Sequence, residues 1–271
     1  MISQHVSIDA ASRTDLRPRH HVEHVMGMAV SIDIVDSVAP ETVDAVVRWL
    51  HDVDATYSTY KPDSPISRLG LGELGLHDMS AEVLGVLALC EEVNQDTGGA
   101  FDILSVPAPN GSRLDPSGIV KGWSIERAAE LLESLGARNF CINAGGDIAV
   151  RGMSATGEPW RIGIRHPDQP TMSAAVVDLP ERHAIATSAT YERGAHIIDP
   201  ATGEPIAELA SVTIIGPDLT YADAYATAVF VMGIDGLNWL HERHPNYAGF
   251  VITRQDTTYQ TANFNDYLAG T

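Results

Sequence analysis

The chain has 271 residues, 44% of them hydrophobic and 20% charged, and its formal net charge is −19. A chain of this length can bury a substantial core as one large domain or two small ones. Because a phosphate backbone needs a basic surface, the charge argues against a nucleic-acid partner. It does not exclude a small phosphorylated ligand held by a metal and helix N-termini. No apolar run is long enough for a transmembrane helix, so we expect no membrane insertion.

The N-terminal segment is polar, and residues 1–24 are predicted to be a loosely ordered leader with solvated histidines at His20, His21 and His24. This segment has no apolar stretch of signal-peptide length, so we expect no export and a cytoplasmic location. Cys90 lies in a helical pattern and Cys141 in an apolar strand. Both are therefore predicted to be buried and reduced.

The rest of the chain, residues 25–271, is predicted to form one domain. Its first strand is expected over Val25–Val35. Helices are then predicted over Pro40–Thr56, from an N-cap at Ser80 to Gly98, from about Ser124 to Leu135, around Asp223, and over Gly236–Arg243. Short strands are predicted at Phe140–Ile142, Ile148–Val150, Trp160–Arg165, Ala174–Leu179, Ala184–Thr187 and Ser211–Ile215. Because these elements alternate without regular βαβ units, the pattern predicts a compact α+β fold.

The segment Tyr221–Met232 is apolar in nearly every direction, which is typical of a helix packed in the core. Asp223 and Thr227 interrupt it and, four residues apart, share one face. A buried charge is rare unless it is paired or holds a metal. Mg²⁺ commonly takes one or two protein oxygens and fills its shell with water and substrate phosphates. The structural alternative is that Asp223 caps the helix and Thr227 bonds back to a carbonyl.

Two turns carry residues suited to binding a phosphorylated ligand. Leu114–Gly122 leads into a helix with small residues and Lys121, which is consistent with a phosphate cradle or with an ordinary turn and a solvated lysine. Asn143–Asp147 joins two apolar strands through paired glycines, and a tight Asx-type hairpin is the competing interpretation. His196 stands near a strand end followed by turn residues, where it could be structural or catalytic.

Taken in order, these segments resemble the ApbE family of FAD:protein FMN transferases. The resemblance spans nearly the whole chain. The matching segments are Met26–Met28, Ser58–Tyr60, Ser64–Leu69, Thr97–Asp102, Leu114–Gly122, Asn143–Asp147, Trp160–Arg165, Ala186–Ser188, Tyr191–Arg193, His196–Pro200 and Ala222–Thr227. The fold that the resemblance implies has a mixed or antiparallel sheet core with packed helices, of the ApbE-like, T-fold-like kind.

The resemblance also implies an activity. Members of the family split FAD at its pyrophosphate, join FMN through a phosphoester to a Thr or Ser of a target protein, and release AMP. The matched Mg²⁺ ligands are the Gly118 carbonyl, Asp223 and Thr227. His196 matches a histidine implicated near the pyrophosphate. Residues matched to the nucleotide-binding cleft are Met26, Tyr60, Asp102, Lys121, Asn143, Gly145, Gly146, Asp147, Thr187 and Ser188.

The identity of the general base stays open between His196 and Asp223, and a metal-bound Asp223 would be a poor proton acceptor. The other functions considered are a Mg²⁺-dependent FAD pyrophosphatase, in which water replaces the protein hydroxyl, and a carrier that binds FAD without cleaving it. A structural protein with a vestigial site is a further alternative. FAD and an unidentified target protein are the partners that the resemblance implies.

Overall fold

The computed structural model describes residues 17–105, 107–169, 171–189, 206 and 208–270. Six α-helices lie within these residues. They are α1 (Pro40–Tyr57), α2 (Pro65–Gly70), α3 (Ala81–Asp96), α4 (Ser117–Ser134), α5 (Leu219–Met232) and α6 (Gly236–Arg243). Short 3₁₀ turns occur at Leu76–Asp78, Gly233–Asp235 and Ala262–Tyr267.

Ten strands in the same residues form two sheets. The strands are β1 (Arg17–Val25), β2 (Met28–Val38), β3 (Phe140–Ala144), β4 (Asp147–Arg151), β5 (Trp160–Arg165), β6 (Ser173–Leu179), β7 (Arg182–Ala189), β8 (Leu209–Gly216), β9 (Ala248–Thr253) and β10 (Thr258–Gln260). The large sheet has the order β1-β2-β3-β4-β7-β8-β9-β10, and β5 pairs with β6 in a small sheet. All of these pairings are antiparallel.

The large sheet separates two hydrophobic clusters. Ile142 and Ile214 belong to the cluster formed with the helices. Their neighbours Cys141 and Ile215 belong to the cluster formed with the small sheet and Phe264. Alternate residues of a strand point to opposite faces, so one strand serves both clusters. The predicted single α+β domain with an antiparallel sheet core is confirmed.

The prediction of a loosely ordered leader up to His24 is wrong for residues 17–24, because they form β1. This strand pairs with β2 through a two-residue turn at Met26 and Gly27. An edge strand tolerates polar side chains on its exposed positions, so its composition resembles that of a leader. His20 is exposed but contacts Asp33, with 2.5 Å between Nδ1 and Oδ1.

The third predicted helix begins seven residues before the expected Ser124, at Ser117. Proline, serine and glycine at 116–118 are typical of a turn. Packing against α5 nevertheless keeps this stretch helical and buries Ile119, Gly122 and Trp123. Gly118 and Lys121 therefore lie in the first two turns of α4 rather than in a loop ahead of it.

The remaining predicted elements occur close to their expected positions. Ser80 is the N-cap of α3 and accepts a hydrogen bond from the backbone N–H of Val83. Sequence reasoning missed α2, β9 and β10. None of the helices in the described part of the chain is long and apolar enough to cross a membrane.

Candidate active site

The contact between α4 and α5 organises the site. Gly122 donates its backbone N–H to Asp223 Oδ2 over 2.9 Å. A Cβ at Gly122 would lie 2.5 Å from the Leu219 carbonyl oxygen and 2.7 Å from Asp223 Cβ, so only glycine lets the two helices approach this closely. Asp223 is only 4% exposed, yet it is neither unpartnered nor a helix cap: Asp218 is the N-cap of α5.

The antiparallel register of these helices brings the three predicted metal ligands together. Gly122 lies beside Asp223, and one turn away on each helix this register places Gly118 across from Thr227. Gly118, Asp223 and Thr227 all line one cleft. A Cβ at Gly118 would lie 3.3 Å from the Phe101 ring. The Thr227 hydroxyl shares a hydrogen bond with Ser188, with 3.3 Å between the oxygens.

Lys121 places a cation beside these oxygens. Its Nζ lies 2.6 Å from Asp147 Oδ2 and 3.9 Å from Asp223 Oδ1. Asp147 comes from the start of β4, and its Oδ1 accepts the backbone N–H of Thr187 on β7 over 3.1 Å. Asp147 thus fixes both Lys121 and the strand that carries Thr187 and Ser188.

The cleft has a volume of about 870 Å³, at the upper end of the range for ligand sites. Its walls come from the β1–β2 turn, the end of α1, residues 100–103, 105, 107 and 109, the first two turns of α4, the end of β7, and one face of α5. The described residues that line it include six charged ones: Asp54, Lys61, Asp102, Asp115, Lys121 and Asp223. Carboxylates outnumber the lysines among these six, so a pyrophosphate here would need additional positive charge.

Three residues predicted to contact the nucleotide lie at the cleft from separate elements. Met26 has a left-handed backbone with φ of 54°, an uncommon conformation for a residue with a Cβ. Tyr60 is 77% exposed, which leaves its ring available to a ligand at the cleft mouth. Asp102 uses Oδ1 to accept the backbone N–H of Leu104 over 2.8 Å.

The Asn143–Asp147 segment forms the β3–β4 hairpin. Gly145 and Gly146 have φ values of 60° and 100°, and Asn143 Oδ1 accepts the Gly146 N–H over 2.9 Å. Asn143, Gly145 and Gly146 are not among the described residues that line the cleft. Asp147 reaches the cleft only indirectly, through its ion pair with Lys121. His196, the predicted catalytic histidine, lies outside the described residues.

The donor set fits a hard cation. The described residues contain no group of three or more His, Cys, Asp or Glu side chains arranged to hold a metal ion. A site made of one carboxylate, one hydroxyl and one backbone carbonyl is of a different kind, and it suits Mg²⁺, which retains waters and substrate phosphates in its shell. Asp223, Thr227 and Gly118, the residues predicted to supply these three oxygens, all line the cleft.

Sequence reasoning missed the role of Glu126, which lies one turn beyond Gly122 on α4. Glu126 is 3% exposed and pairs with the equally buried Arg151 of β4. Burial raises the pKa of Glu126, and Arg151 opposes that shift. A single Glu in an amphipathic helix usually faces solvent, so the sequence around Glu126 does not indicate that it is buried. The one available sequence signal is its position one helical turn after Gly122.

Comparison with known proteins identifies the family. The model of the ApbE family matches residues 26–110 and 105–251. The chain belongs to the ApbE family. A FAD:protein FMN transferase from Haemophilus influenzae is 30% identical, over 84% of this chain and 82% of its own. A protein of the same name from Vibrio cholerae is 30% identical, over 74% of this chain and 75% of its own.

Solved ApbE structures share the fold. The flavin transferase ApbE from Vibrio cholerae superposes with a TM-score of 0.81 at 25% identity, covering 93% of this chain and all of the other. An ApbE protein from Thermotoga maritima gives a TM-score of 0.82 at 21% identity and shows the fold alone. The prediction of the family is confirmed.

Proposed function

We propose that this chain is a Mg²⁺-dependent FAD:protein FMN transferase. The supporting observation is the α4–α5 contact, which gathers Gly118, Lys121, Asp223 and Thr227 on the wall of one large cleft. Relatives that align with most of this chain are named FAD:protein FMN transferase. The chemistry requires a site that neutralises a pyrophosphate and aligns a hydroxyl with it.

The reaction is a displacement at phosphorus. A Thr or Ser hydroxyl oxygen of the target protein forms a bond to the FMN phosphorus, the bond from that phosphorus to the bridging oxygen breaks, and AMP leaves. The hydroxyl proton passes to a base. The sequence resemblance makes His196 our candidate for this base. Asp223 is the weaker candidate, because its carboxylate already accepts the Gly122 N–H and lies next to the Lys121 ammonium.

The residues of the cleft divide the remaining work. Mg²⁺, held by the Gly118 carbonyl, Asp223 and Thr227, would supply charge neutralisation at the pyrophosphate. Lys121, whose side chain is held by Asp147, places a second positive charge beside the oxygens of these metal ligands. Tyr60 presents an exposed ring at the cleft mouth for an aromatic portion of FAD. Met26 and Asp102 also line the cleft.

Product analysis tests this function. The protein is incubated with FAD and MgCl₂, with and without a lysate of the producing organism as the source of acceptor. A transferase leaves a flavin-fluorescent protein band that survives denaturation, and it releases AMP. A pyrophosphatase gives free FMN and AMP without acceptor, and a carrier leaves FAD intact; either of these results would overturn the proposal.

A variant control separates a specific site from contaminating activity. Asp235→Asn removes an exposed carboxylate near the end of α5 and should leave product formation unchanged. A reaction without MgCl₂ but with a chelator should give no product. The cytoplasmic location and the Thr or Ser identity of the acceptor stay predictions of the sequence.

A further inference from the structure

Glu126 binds the N-terminus of α5. Its Oε2 accepts the backbone N–H of Leu219, the first residue of that helix, over 3.1 Å. The first N–H groups of a helix have no partner within the helix, so a buried N-terminus needs an acceptor from elsewhere. A carboxylate there also interacts favourably with the helix dipole. Glu126 therefore stabilises α5 at the end from which Asp223 follows by one turn.

Two hydrogen bonds of opposite direction join α4 and α5. Gly122 of α4 donates to Asp223 of α5, and Leu219 of α5 donates to Glu126 of α4. The two contact residues on each helix are four positions apart, which is one helical turn. Sliding α5 by one residue would break both bonds at once. This reciprocal pair consequently fixes the register of the two helices.

The Glu126 carboxylate is itself held by the sheet. Its Oε1 pairs with Arg151 of β4, and Arg182 Nη2 of β7 lies 3.5 Å away. Removing one partner of such a buried pair leaves an uncompensated charge, so the arrangement resists displacement. Because Arg151 is 2% exposed, this anchor is part of the interior and connects α5 to the large sheet.

We infer that Glu126 is a positioning residue, which sets the register of α5 against α4 and so holds Asp223 and Thr227 opposite Gly118. Glu126 is not among the described residues that line the cleft, so it acts through these ligands rather than on the substrate. The inference rests on the metal ligands of the proposed function. It adds a residue from outside the cleft to the determinants of metal affinity.

The test measures metal affinity without FAD. Mg²⁺ is titrated calorimetrically into the wild-type protein and the variants Glu126→Ala and Glu126→Asp. Glu126→Asp keeps the charge and both oxygens but shortens the reach by one methylene. Loss of a residue that orients a metal ligand typically weakens binding by about 10–100-fold, and we expect a Kd increase of at least about tenfold for both variants.

Glu133→Gln is the matched control. Glu133 lies on α4 two turns beyond Glu126 and binds the same arginines, 2.8 Å from Arg182 and 3.4 Å from Arg151. This variant weakens the ion network and should leave the Kd for Mg²⁺ within about threefold of wild type, because the residue that orients the metal ligands is intact. Loss of affinity here equal to that of Glu126→Ala would assign the effect to general destabilisation and overturn the inference.

A second readout does not depend on the metal. Amide hydrogen exchange at Gly122 and Leu219 should accelerate in the folded Glu126 variants and stay unchanged in Glu133→Gln. If Glu126→Ala does not fold, Glu126→Asp decides. Folded variants with wild-type affinity and exchange would overturn the inference. If the wild-type protein binds no Mg²⁺, the proposed metal ligands fail, and the exchange of Gly122 and Leu219 still decides whether Glu126 sets the register.

Discussion

Lys121 and Asp147 form an ion pair in which Nζ lies 2.6 Å from Oδ2 and the carboxylate side chain is only 1% exposed. The pair joins the second turn of α4 to the first residue of β4. Asp147, which is predicted to contact the nucleotide, thus holds the side chain of Lys121, another residue predicted to contact it.

Asp147→Asn should weaken FAD binding and destabilise the fold. The amide can still accept the Thr187 N–H through its oxygen, but its NH₂ group then faces the Lys121 ammonium. A buried group left without its partner costs about 1–3 kcal/mol, which urea unfolding would measure. Fluorescence titration should show weaker FAD binding.

The control for this variant is Asp178→Asn, which breaks the Arg161–Asp178 pair on the small sheet. Arg161 is 61% exposed, so solvent screens this pair; Asp178→Asn should shift the urea midpoint far less than Asp147→Asn and should leave FAD binding unchanged. Equal effects of Asp147→Asn and Asp178→Asn would contradict a special role for Asp147.

Asp223 should show separable roles in binding metal and in packing. Asp223→Asn keeps an acceptor for the Gly122 N–H, whereas Asp223→Ala removes this hydrogen bond between α4 and α5. Both variants should lose Mg²⁺ binding, but only Asp223→Ala should also lose about 0.5–1.5 kcal/mol, the net contribution of a typical hydrogen bond. Calorimetric titration and urea unfolding measure the two effects. Full Mg²⁺-dependent turnover by either variant would contradict the ligand assignment.

Gly122→Ala should be destabilising although alanine favours helices. The added Cβ would approach the Leu219 carbonyl to 2.5 Å and force α4 and α5 apart. We expect a loss of about 1–3 kcal/mol, as for an overpacked core, and weaker Mg²⁺ binding. Gly85→Ala in α3 is the matched control, because its Cβ meets no atom within 4 Å. That control should gain about 0.5–1 kcal/mol. A stabilised Gly122→Ala would refute the close helix contact.

Both thiols should be unreactive in the folded protein. Cys90 and Cys141 are 2% and 8% exposed, and burial raises the pKa of each thiol to about 12. Since the thiolate is the nucleophile, iodoacetamide at pH 8 should modify neither residue in the native state. In urea the pKa returns to about 8.5 and two alkylations should appear by mass spectrometry. Rapid labelling of the folded chain would show that these sites open readily.

His196→Ala should slow transfer by roughly 10²–10⁴-fold if the histidine is a positioned acid or base. FAD affinity should change far less, because the described cleft residues hold the ligand. Measuring FAD binding and AMP release on one preparation separates the two quantities. A lowered melting temperature with an unchanged rate per folded molecule would make His196 a structural residue.

Local sequence patterns predicted those parts of the fold and site that depend on neighbouring residues. The apolar pattern around Asp223 and Thr227 indicated a core helix with two oxygens on one face, and both residues line the cleft. The N-cap at Ser80 and the helix Gly236–Arg243 occur where they were predicted. The burial of both cysteines is confirmed.

Features that depend on long-range contacts were not predictable. The helical start at Ser117 is set by packing against α5, a segment about one hundred residues away in the chain. From its neighbours in sequence, Glu126 resembles a surface residue. Its carboxylate accepts the N–H of Leu219, 93 positions later, which no local pattern indicates. The pairing of β1 with β2 similarly depends on backbone hydrogen bonds, which the polar side chains of β1 do not predict.

The walls of the cleft extend along the chain from Met26 to Val231. A molecule bound there would connect the first hairpin, the end of α1, the start of α4 and the middle of α5, as a reversible cross-link does. Because ligand binding to the folded state adds to the free energy of unfolding, tight binding would protect distant segments together. Resistance to proteolysis should therefore rise throughout the domain rather than only at the cleft.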